Sequence, residues 1–429
     1  LARAAGDDLR EVLQADISAG SGTGLQALLA PEVRRALPAE RLAAVHASLL
    51  AAHGPLRHCD PVVERPTQRV YRLVFEQGAC RAVVNLDAQG RIVGYWVRPE
   101  PPAWPLEEVD RRLEALPGDY AYHRVVLDAQ GEVVSEGGRA RGREVFPLGS
   151  IFKLYVLAEL ARQVEAGTIG LEEDLEIVES RKSLPSGQLH LRPAGSRVTV
   201  RDAARAMIAI SDNTATDHLN HRLGRGEIEK RLAPWHNSVP ERNIPFQTTR
   251  EMFLIKGGGR ERDTLGIEFP EFVERWEKGS AAERRAMVEA VCAPFETIPL
   301  AQLLLPVSVG YELRATGQPI HATIEWFARP ADIVALVLDA HRGTLAGSGT
   351  FLEFYGAGSP VYPPEDLGRW GFKGGSERDV FALSALAVGE DGRAVAVCLC
   401  RAGPIGRVAG DETVKLFTAL LRSGLDAEG

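Results

Sequence analysis

Phe146-Pro147-Leu148-Gly149-Ser150-Ile151-Phe152-Lys153-Leu154-Tyr155-Val156-Leu157-Ala158-Glu159-Leu160, FPLGSIFKLYVLAEL, places a lysine among apolar residues on every side. Burying an ammonium is costly unless it is paired or loses its proton, so something at this position must require Lys153. Pro147-Leu148-Gly149 suits entry to a helix and Gly167 supplies a C-cap, which predicts a helix from Ile151 to about Ala166. Residues three apart share a helix face, so Ser150 and Lys153 stand together at its N-terminal turn. There the exposed N–H groups and the helix dipole favour negative charge, and a desolvated lysine tends toward the neutral amine. A neutral amine beside a hydroxyl is a base beside a nucleophile.

The pair alone is weak, because with Ser and Lys each at roughly 6% of residues about one or two S-x-x-K matches arise by chance in such a chain. Two remote segments strengthen it. Ser211-Asp212-Asn213 follows an apolar helix expected over Asp202 to Ile210, and a given tripeptide arises by chance on the order of 0.05 times. Phe372-Lys373-Gly374-Gly375-Ser376 precedes a strand expected over Val380 to Val388. Taken separately, Ser211 and Asn213 also suit an ordinary helix-capping turn, and Lys373 a solvated strand end.

S-x-x-K, S-D-N and K-x-G in this order resemble the serine β-lactamases of class A and the related penicillin-binding proteins, from about Leu106 to the C-terminus. The likeness is densest over Ser186-Gly187-Gln188-Leu189-His190-Leu191, Val198-Thr199-Val200-Arg201-Asp202 and Ser211-Asp212-Asn213-Thr214-Ala215-Thr216. It implies an acylated nucleophile at Ser150, with Lys153 as its general base or proton relay. It further implies that Ser211 passes a proton to the leaving group, that Asn213 holds substrate and the lysine pair, and that Lys373 attracts a substrate carboxylate. Gly375 and Ser376 would contact substrate, the backbone N–H groups of Ser150 and Ser376 would form the oxyanion hole, and Asp212 would be structural. No metal or other cofactor is implied.

Three departures from the family pattern bear on turnover. Lys373-Gly374-Gly375 lacks the hydroxyl that usually follows the lysine, although Ser376 offers one. The deacylating Glu of class A enzymes stands in an E-x-x-L-N segment; the nearest match is Glu251-Met252-Phe253-Leu254-Ile255, without the Asn, and Glu251 equally suits the first turn of a helix. Ser211 and Lys373 are further apart than in compact β-lactamases. Residues 257–325 are therefore expected to be an added region, opened by Gly257-Gly258-Gly259, helical over Phe272 to Val291, and either shaping the pocket or packing away from it.

Ahead of this domain, Leu9 to Ile17, Leu25 to Leu37 and Pro38 to Ala52 predict three helices, and Arg69 to Glu76, Cys80 to Leu86 and Arg91 to Val97 predict strands. Element order resembles the small α+β cones of the ketosteroid-isomerase or nuclear-transport-factor type. Four prolines between Arg98 and Pro105 mark a boundary. The expected organisation is a small α+β domain over 1–98, a linker over 99–105, and a hydrolase domain over 106–429. That domain should open with a helix, Leu106 to Leu116, and a hairpin, Tyr122 to Glu136. A second hairpin, Val380 to Val388 with Arg393 to Arg401, and a helix, Asp411 to Ser423, should close it, making one antiparallel sheet flanked by helices. The whole plan is similar to cephalosporin esterases encoded with clavulanic-acid biosynthesis.

The expected activity is a serine hydrolase acting through an acyl-enzyme on a small-molecule β-lactam, ester or acyl-peptide; a penicillin-binding sensor or trap and a D,D-peptidase are the alternatives. A net charge of -8 over 429 residues opposes general affinity for nucleic acid or anionic membranes, and no apolar run is long enough to span one. The sequence begins at Leu1 without a methionine, as in a chain trimmed from a periplasmic or secreted precursor; cytoplasmic residence is the alternative. Cys398 and Cys400 are expected side by side as core thiols. Cys59 and Cys80 are expected either as core thiols or, in an oxidising compartment, as a disulfide.

Overall fold

The computed structural model describes residues 2–100, 104–140, 144–257, 264–303, 323–358, 368–405 and 407–425. Part of the expected linker (101–103) and much of the expected added region (258–263 and 304–322, with Gly258 and Gly259) lie outside the described residues. Two compact units divide the chain, one over Leu1–Pro102 and one over Ala103–Val361 with Leu367–Gly429.

The first unit runs through helices Ala2–Ser18, Thr23–Leu28, Pro31–Ala36 and Ala39–His53 into an antiparallel sheet of β1 (Leu56–Arg65), β2 (Gln68–Phe75), β3 (Gly78–Leu86) and β4 (Ile92–Pro99), in that order. Leu13, Ile17, Leu25 and Leu42 pack against Leu73, Val84 and Ile92 as its core. The single helix expected over Leu25 to Leu37 is two. Pro31 disfavours the helical conformation in the residue before it, and Ala30 takes an extended ψ of 147°. Strand β1 escaped the sequence reading because Pro61 looks like a breaker; it is tolerated on an edge strand, beside a register shift between Pro61 and Val63.

Of the two alternatives for Cys59 and Cys80, core thiols or a disulfide, the structure shows the first. Cys59 and Cys80 both stand opposite Leu73, on the two strands flanking β2. Two strand spacings put them roughly 9–10 Å apart, beyond the roughly 7 Å a disulfide can bridge. Both thiols are free and buried, and burial pushes the Cys59 thiol up to about 12 and the Cys80 thiol up to about 11.

In the second unit, β5 (Asp119–Leu127) and β6 (Val133–Ala140) join β7 (Arg369–Glu377), β8 (Val380–Val388) and β9 (Ala394–Ala402) in an antiparallel sheet of order β7-β8-β9-β5-β6. The central strand β9 is buried throughout, and its side chains alternate between two cores. Val395, Val397 and Leu399 meet Val109 and Leu113 of helix Leu106–Ala115 and Leu416 and Leu420 of helix Arg407–Arg422. Ala396, Cys398 and Cys400 face the other core, where the two free thiols lie 3.8 Å apart.

That second core surrounds helix Lys153–Glu165, whose residues from Lys153 to Ala161 are all buried. A helix apolar all round belongs inside a protein, which accounts for FPLGSIFKLYVLAEL. The helix expected over Phe272 to Val291 is two, Phe269–Lys278 and Ala281–Cys292, restarted at Ser280 by a reciprocal capping box with Glu283. Among the described residues, no helix is long and apolar enough to cross a membrane.

Core burial sets a direct expectation. Leu157, 0% exposed, when changed to Ala should lower stability by about 2–5 kcal/mol. Leu191→Ala, at a side chain 74% exposed, should change it by less than about 0.5 kcal/mol. Urea unfolding followed by tryptophan fluorescence checks both.

Candidate functional site

Ser150 lies in a single 3-10 turn, Gly149–Phe152, which tightens the expected entry and then runs into helix Lys153–Glu165. Gly149 has φ +48°, in the left-handed region, and edge strand β7 is pressed against the turn. A Cβ at Gly375 would stand 2.5 Å from the Leu148 carbonyl oxygen and 2.6 Å from the Ser150 nitrogen, so this glycine is a steric requirement. The backbone nitrogen of Ser376 comes next, 3.3 Å from where a Cβ on Gly149 would be. Two backbone N–H groups, of Ser150 and Ser376, are thereby brought to one place. At Gly374, by contrast, a Cβ would meet nothing closer than 3.5 Å, so space does not dictate the missing hydroxyl.

Lys153 is 0% exposed, and its ammonium nitrogen donates to Ser211 O at 2.7 Å, Ser211 Oγ at 3.0 Å and Asn213 Oδ1 at 2.7 Å. Burial, and then the charge of Lys373, push its pKa well below the usual lysine value, against the pull of Asp217 and Asp212. Lys373 Nζ donates to the same Ser211 Oγ at 3.0 Å and to Gly374 O at 2.6 Å. Burial lowers its pKa to about 7. One hydroxyl therefore sits between two buried amines.

Ser211 achieves this from φ +55°, a left-handed conformation that costs a non-glycine residue roughly 1–2 kcal/mol. Its carbonyl is pinned by Lys153 and by Ser186 Oγ at 2.6 Å, which holds the residue there. Asp212 caps helix Asn213–Leu223 through the Ala215 N–H, and its other oxygen accepts from Gln188 and Leu189 N–H at 2.6 and 2.8 Å. Its carboxylate shapes the Ser186 to Leu191 loop. Asn213 accepts from Lys153 and donates to Leu184 O at 2.8 Å, and the residue lines the cleft. Further along that helix, buried Asp217 accepts from Thr249 and Arg250 N–H and so fixes the start of helix Thr249–Gly257.

These elements enclose a cleft of ≈ 220 Å³. Ser150, Ser211, Asn213, Gly374 and Ser376 line it, together with Trp326, Glu325 and Glu377. Trp326 stacks on Phe152 with ring centroids 3.6 Å apart, which holds one wall. Glu251 does not belong to this lining. Its carboxylate accepts from Arg225 at 2.5 and 2.6 Å and from Thr248 N–H at 2.8 Å, while Thr248 Oγ1 accepts from Glu251 N–H. That is a helix cap with an ion pair, and it replaces the expectation of a water-activating base at Glu251.

Sequence reasoning missed a cluster at this cleft. Lys256, 0% exposed, donates to Glu325 Oε2 at 3.0 Å and to Glu377 Oε1 at 2.5 Å. Burial opposes the ammonium, yet the two carboxyl groups outweigh it and hold the Lys256 pKa above its usual value. Burial raises Glu325 to about 8. The only trace in the sequence is a lysine inside the apolar run Met252-Phe253-Leu254-Ile255-Lys256, the same anomaly that exposed Lys153. Among the described residues, no group of three or more His, Cys, Asp and Glu is placed to hold a metal ion.

Residues 122–281 match the model of the beta-lactamase enzyme family. The match spans the Ser150, Lys153, Ser211 and Asn213 segments and ends before Lys373. No curated relative matches the chain. Among solved structures, a beta-lactamase from Sphaerobacter thermophilus is 18% identical, with a TM-score of 0.50 over 76% of this chain and 98% of that one. A point mutant of PBP-A, in an acyl-enzyme complex with penicillin G, is 16% identical, with a TM-score of 0.49 over 76% and 99%. The likeness to the first establishes the fold of the second unit as β-lactamase-like.

The strained turn gives a prediction free of the hydroxyl's own contribution. Ser211→Gly and Ser211→Ala both remove the Oγ, but glycine accepts φ +55°, so the glycine variant should be more stable by about 1 kcal/mol. Paired denaturation curves check the difference.

Proposed function

We propose, the second unit being a serine hydrolase of the β-lactamase-like family, that it opens β-lactams or related small esters and amides through an acyl-enzyme on Ser150. The observation that carries this reading is the buried amine of Lys153, one turn along from Ser150, joined to Lys373 through Ser211 Oγ, with Ser150 and Ser211 lining one cleft. Neutral Lys153 accepts the proton of Ser150 as its oxygen attacks the carbonyl carbon. The N–H groups of Ser150 and Ser376 stabilise the charge that develops on the carbonyl oxygen. The proton then travels through Ser211 to the departing nitrogen or oxygen. Lys373 draws in a substrate carboxylate, and Asn213 with Gly375 and Ser376 aligns the acyl group.

A β-lactamase or a cephalosporin esterase fits best, because the same acylation serves either and the cleft is small. The sensor or trap reading has one observation in its favour, the removal of Glu251 from the cleft. A D,D-peptidase shares the acylation step without an observation of its own. The assigned chemistry lies wholly in the second unit.

Intact-mass measurements after incubation with benzylpenicillin and with a 3'-acetoxy cephalosporin test the reading. Wild type should gain an acyl mass and lose it again, whereas Ser150→Ala should gain none; no adduct on wild type with either compound would defeat the proposal. Lys153→Met should acylate about 10²–10⁴-fold more slowly.

The pH dependence follows from Lys373. Its ammonium is present below a pKa of about 7 and is lost above it, so kcat/KM for an anionic substrate should fall as pH rises through about 7. Lys373→Ala should lower kcat/KM and remove that limb in a stopped-flow pH series.

A further inference from the structure

We infer that Ser186 is a specificity-determining residue, whose hydroxyl oxygen accepts a hydrogen bond from an N–H group beside the reacting carbonyl of the substrate. The inference rests on the acyl-enzyme reading above and deepens it, naming the kind of acyl group that the cleft selects.

Ser186 lines the cleft together with Ser150 and Ser211. Its hydroxyl donates to Ser211 O at 2.6 Å, and Lys153 Nζ donates to the same oxygen at 2.7 Å. Ser186 Oγ and Lys153 Nζ therefore stand no farther apart than the length of two hydrogen bonds, at the head of the helix that follows Ser150. A hydroxyl carries one hydrogen and two lone pairs. The hydrogen of Ser186 is committed to the Ser211 carbonyl, and among the described residues nothing donates to its oxygen. What remains to Ser186 is acceptance only.

The groups nearest the nucleophile offer the opposite. Ser150 and Ser376 present backbone N–H groups, and Lys373 presents an amine. Both lysines donate to Ser211 Oγ at 3.0 Å, so that hydroxyl has its own hydrogen to give. Asn213 Oδ1 is taken by Lys153, and the carboxyl groups of Glu325 and Glu377 are engaged with Lys256. A substrate carbonyl or carboxylate thus meets donors. An N–H entering beside them needs an acceptor, because a buried donor left unpaired is costly. Ser186 Oγ is an uncharged acceptor close to Lys153 that is still open.

Holding its own loop in place does not account for this hydroxyl. Four other hydrogen bonds clasp residues 184–189 to the S-D-N turn: Asn213 N–H to Ser186 O at 3.1 Å, Asn213 Nδ2 to Leu184 O at 2.8 Å, and Gln188 and Leu189 N–H to Asp212 Oδ2 at 2.6 and 2.8 Å. Gly187 closes against the same carboxylate, where a Cβ would stand 2.2 Å from Asp212 Oδ2. The Ser186 backbone is fixed by these contacts, and its oxygen is presented in one place before a substrate arrives.

Single-turnover acylation of the full chain, followed by intact mass, tests the contact with two compounds. One is benzylpenicillin, whose side chain carries an N–H next to the lactam; the other is its analogue with oxygen in place of that N–H. Ser186→Ala should slow acylation by benzylpenicillin about 3- to 10-fold more than acylation by the oxygen analogue. Equal slowing with both compounds would overturn the inference, because it marks a hydroxyl that only holds Ser211; an unchanged rate with benzylpenicillin overturns it as well. Should the variant not fold, wild type decides: acylation by the two compounds at equal rates, each taken relative to its hydrolysis by hydroxide, also overturns it. An absence of adduct on wild type with either compound is a separate outcome, and it removes the acyl-enzyme reading itself.

Discussion

Taking the amine of Lys153 out of water is the constraint around which the second unit is organised. An ammonium has three N–H donors, and the structure provides three acceptors for them at 2.7–3.0 Å, all from Ser211 and Asn213. These contacts would favour the charged form, while burial and the neighbouring Lys373 favour the neutral one and prevail. The result is an amine that is fixed in place with its pKa held well below the usual lysine value. Fixing it by a carbonyl and an amide oxygen, with carboxylates held further off, is what lets its pKa fall: carboxylates in direct contact raise the pKa instead, as happens at Lys256.

The acceptors are delivered by three consecutive residues because each takes a different backbone role. Ser211 turns left-handed, which presents both its carbonyl and its hydroxyl to Lys153. Asp212 caps the next helix and reaches the Gln188 and Leu189 amides, so its charge is consumed by backbone donors. Asn213 begins that helix with its side chain already committed at both ends. A second constraint is steric: β7 must come close enough to put Lys373 on Ser211 and the Ser376 nitrogen beside the Ser150 turn. Only a residue without Cβ permits this at position 375. The strand that meets this requirement comes from the far end of the chain, and pairing with β8 and β9 carries it back to β5.

What the sequence made legible was whatever depends on neighbours along the chain. The buried helix after Ser150, the S-D-N turn, the two hairpins and the closing helix all show as periodicity or turn chemistry within a few residues. Strand β1 did not show, since the tolerance of Pro61 depends on its being at an edge, which only the assembled sheet decides. The choice between core thiols and a disulfide at Cys59 and Cys80 stays open in the sequence for a related reason: only the assembled sheet puts a strand between the two thiols. The helix boundary at Pro31 is a local effect of proline on the residue before it, set inside a stretch whose apolar spacing alone favours one continuous helix.

The search for a water-activating carboxylate shows where such reading ends. A motif-based search looks for a glutamate in the right local company, and Glu251 has it: a first helical turn, a preceding Thr, apolar residues after it. The same local company is that of a helix cap, and the geometry gives Glu251 that occupation, with Arg225 neutralising what remains. Glu325 has no local signature at all, since it lies 69 residues from Lys256 and the pair exists only once the chain has closed. What distinguishes the two carboxyl groups physically is burial. Glu251 keeps part of its surface and meets Arg225 and the Thr248 N–H, whereas Glu325 is closed off from water, and that burial raises it to about 8 against the pull of Lys256. Burial is set by tertiary packing, so the residues flanking Glu325 in sequence carry no sign of it.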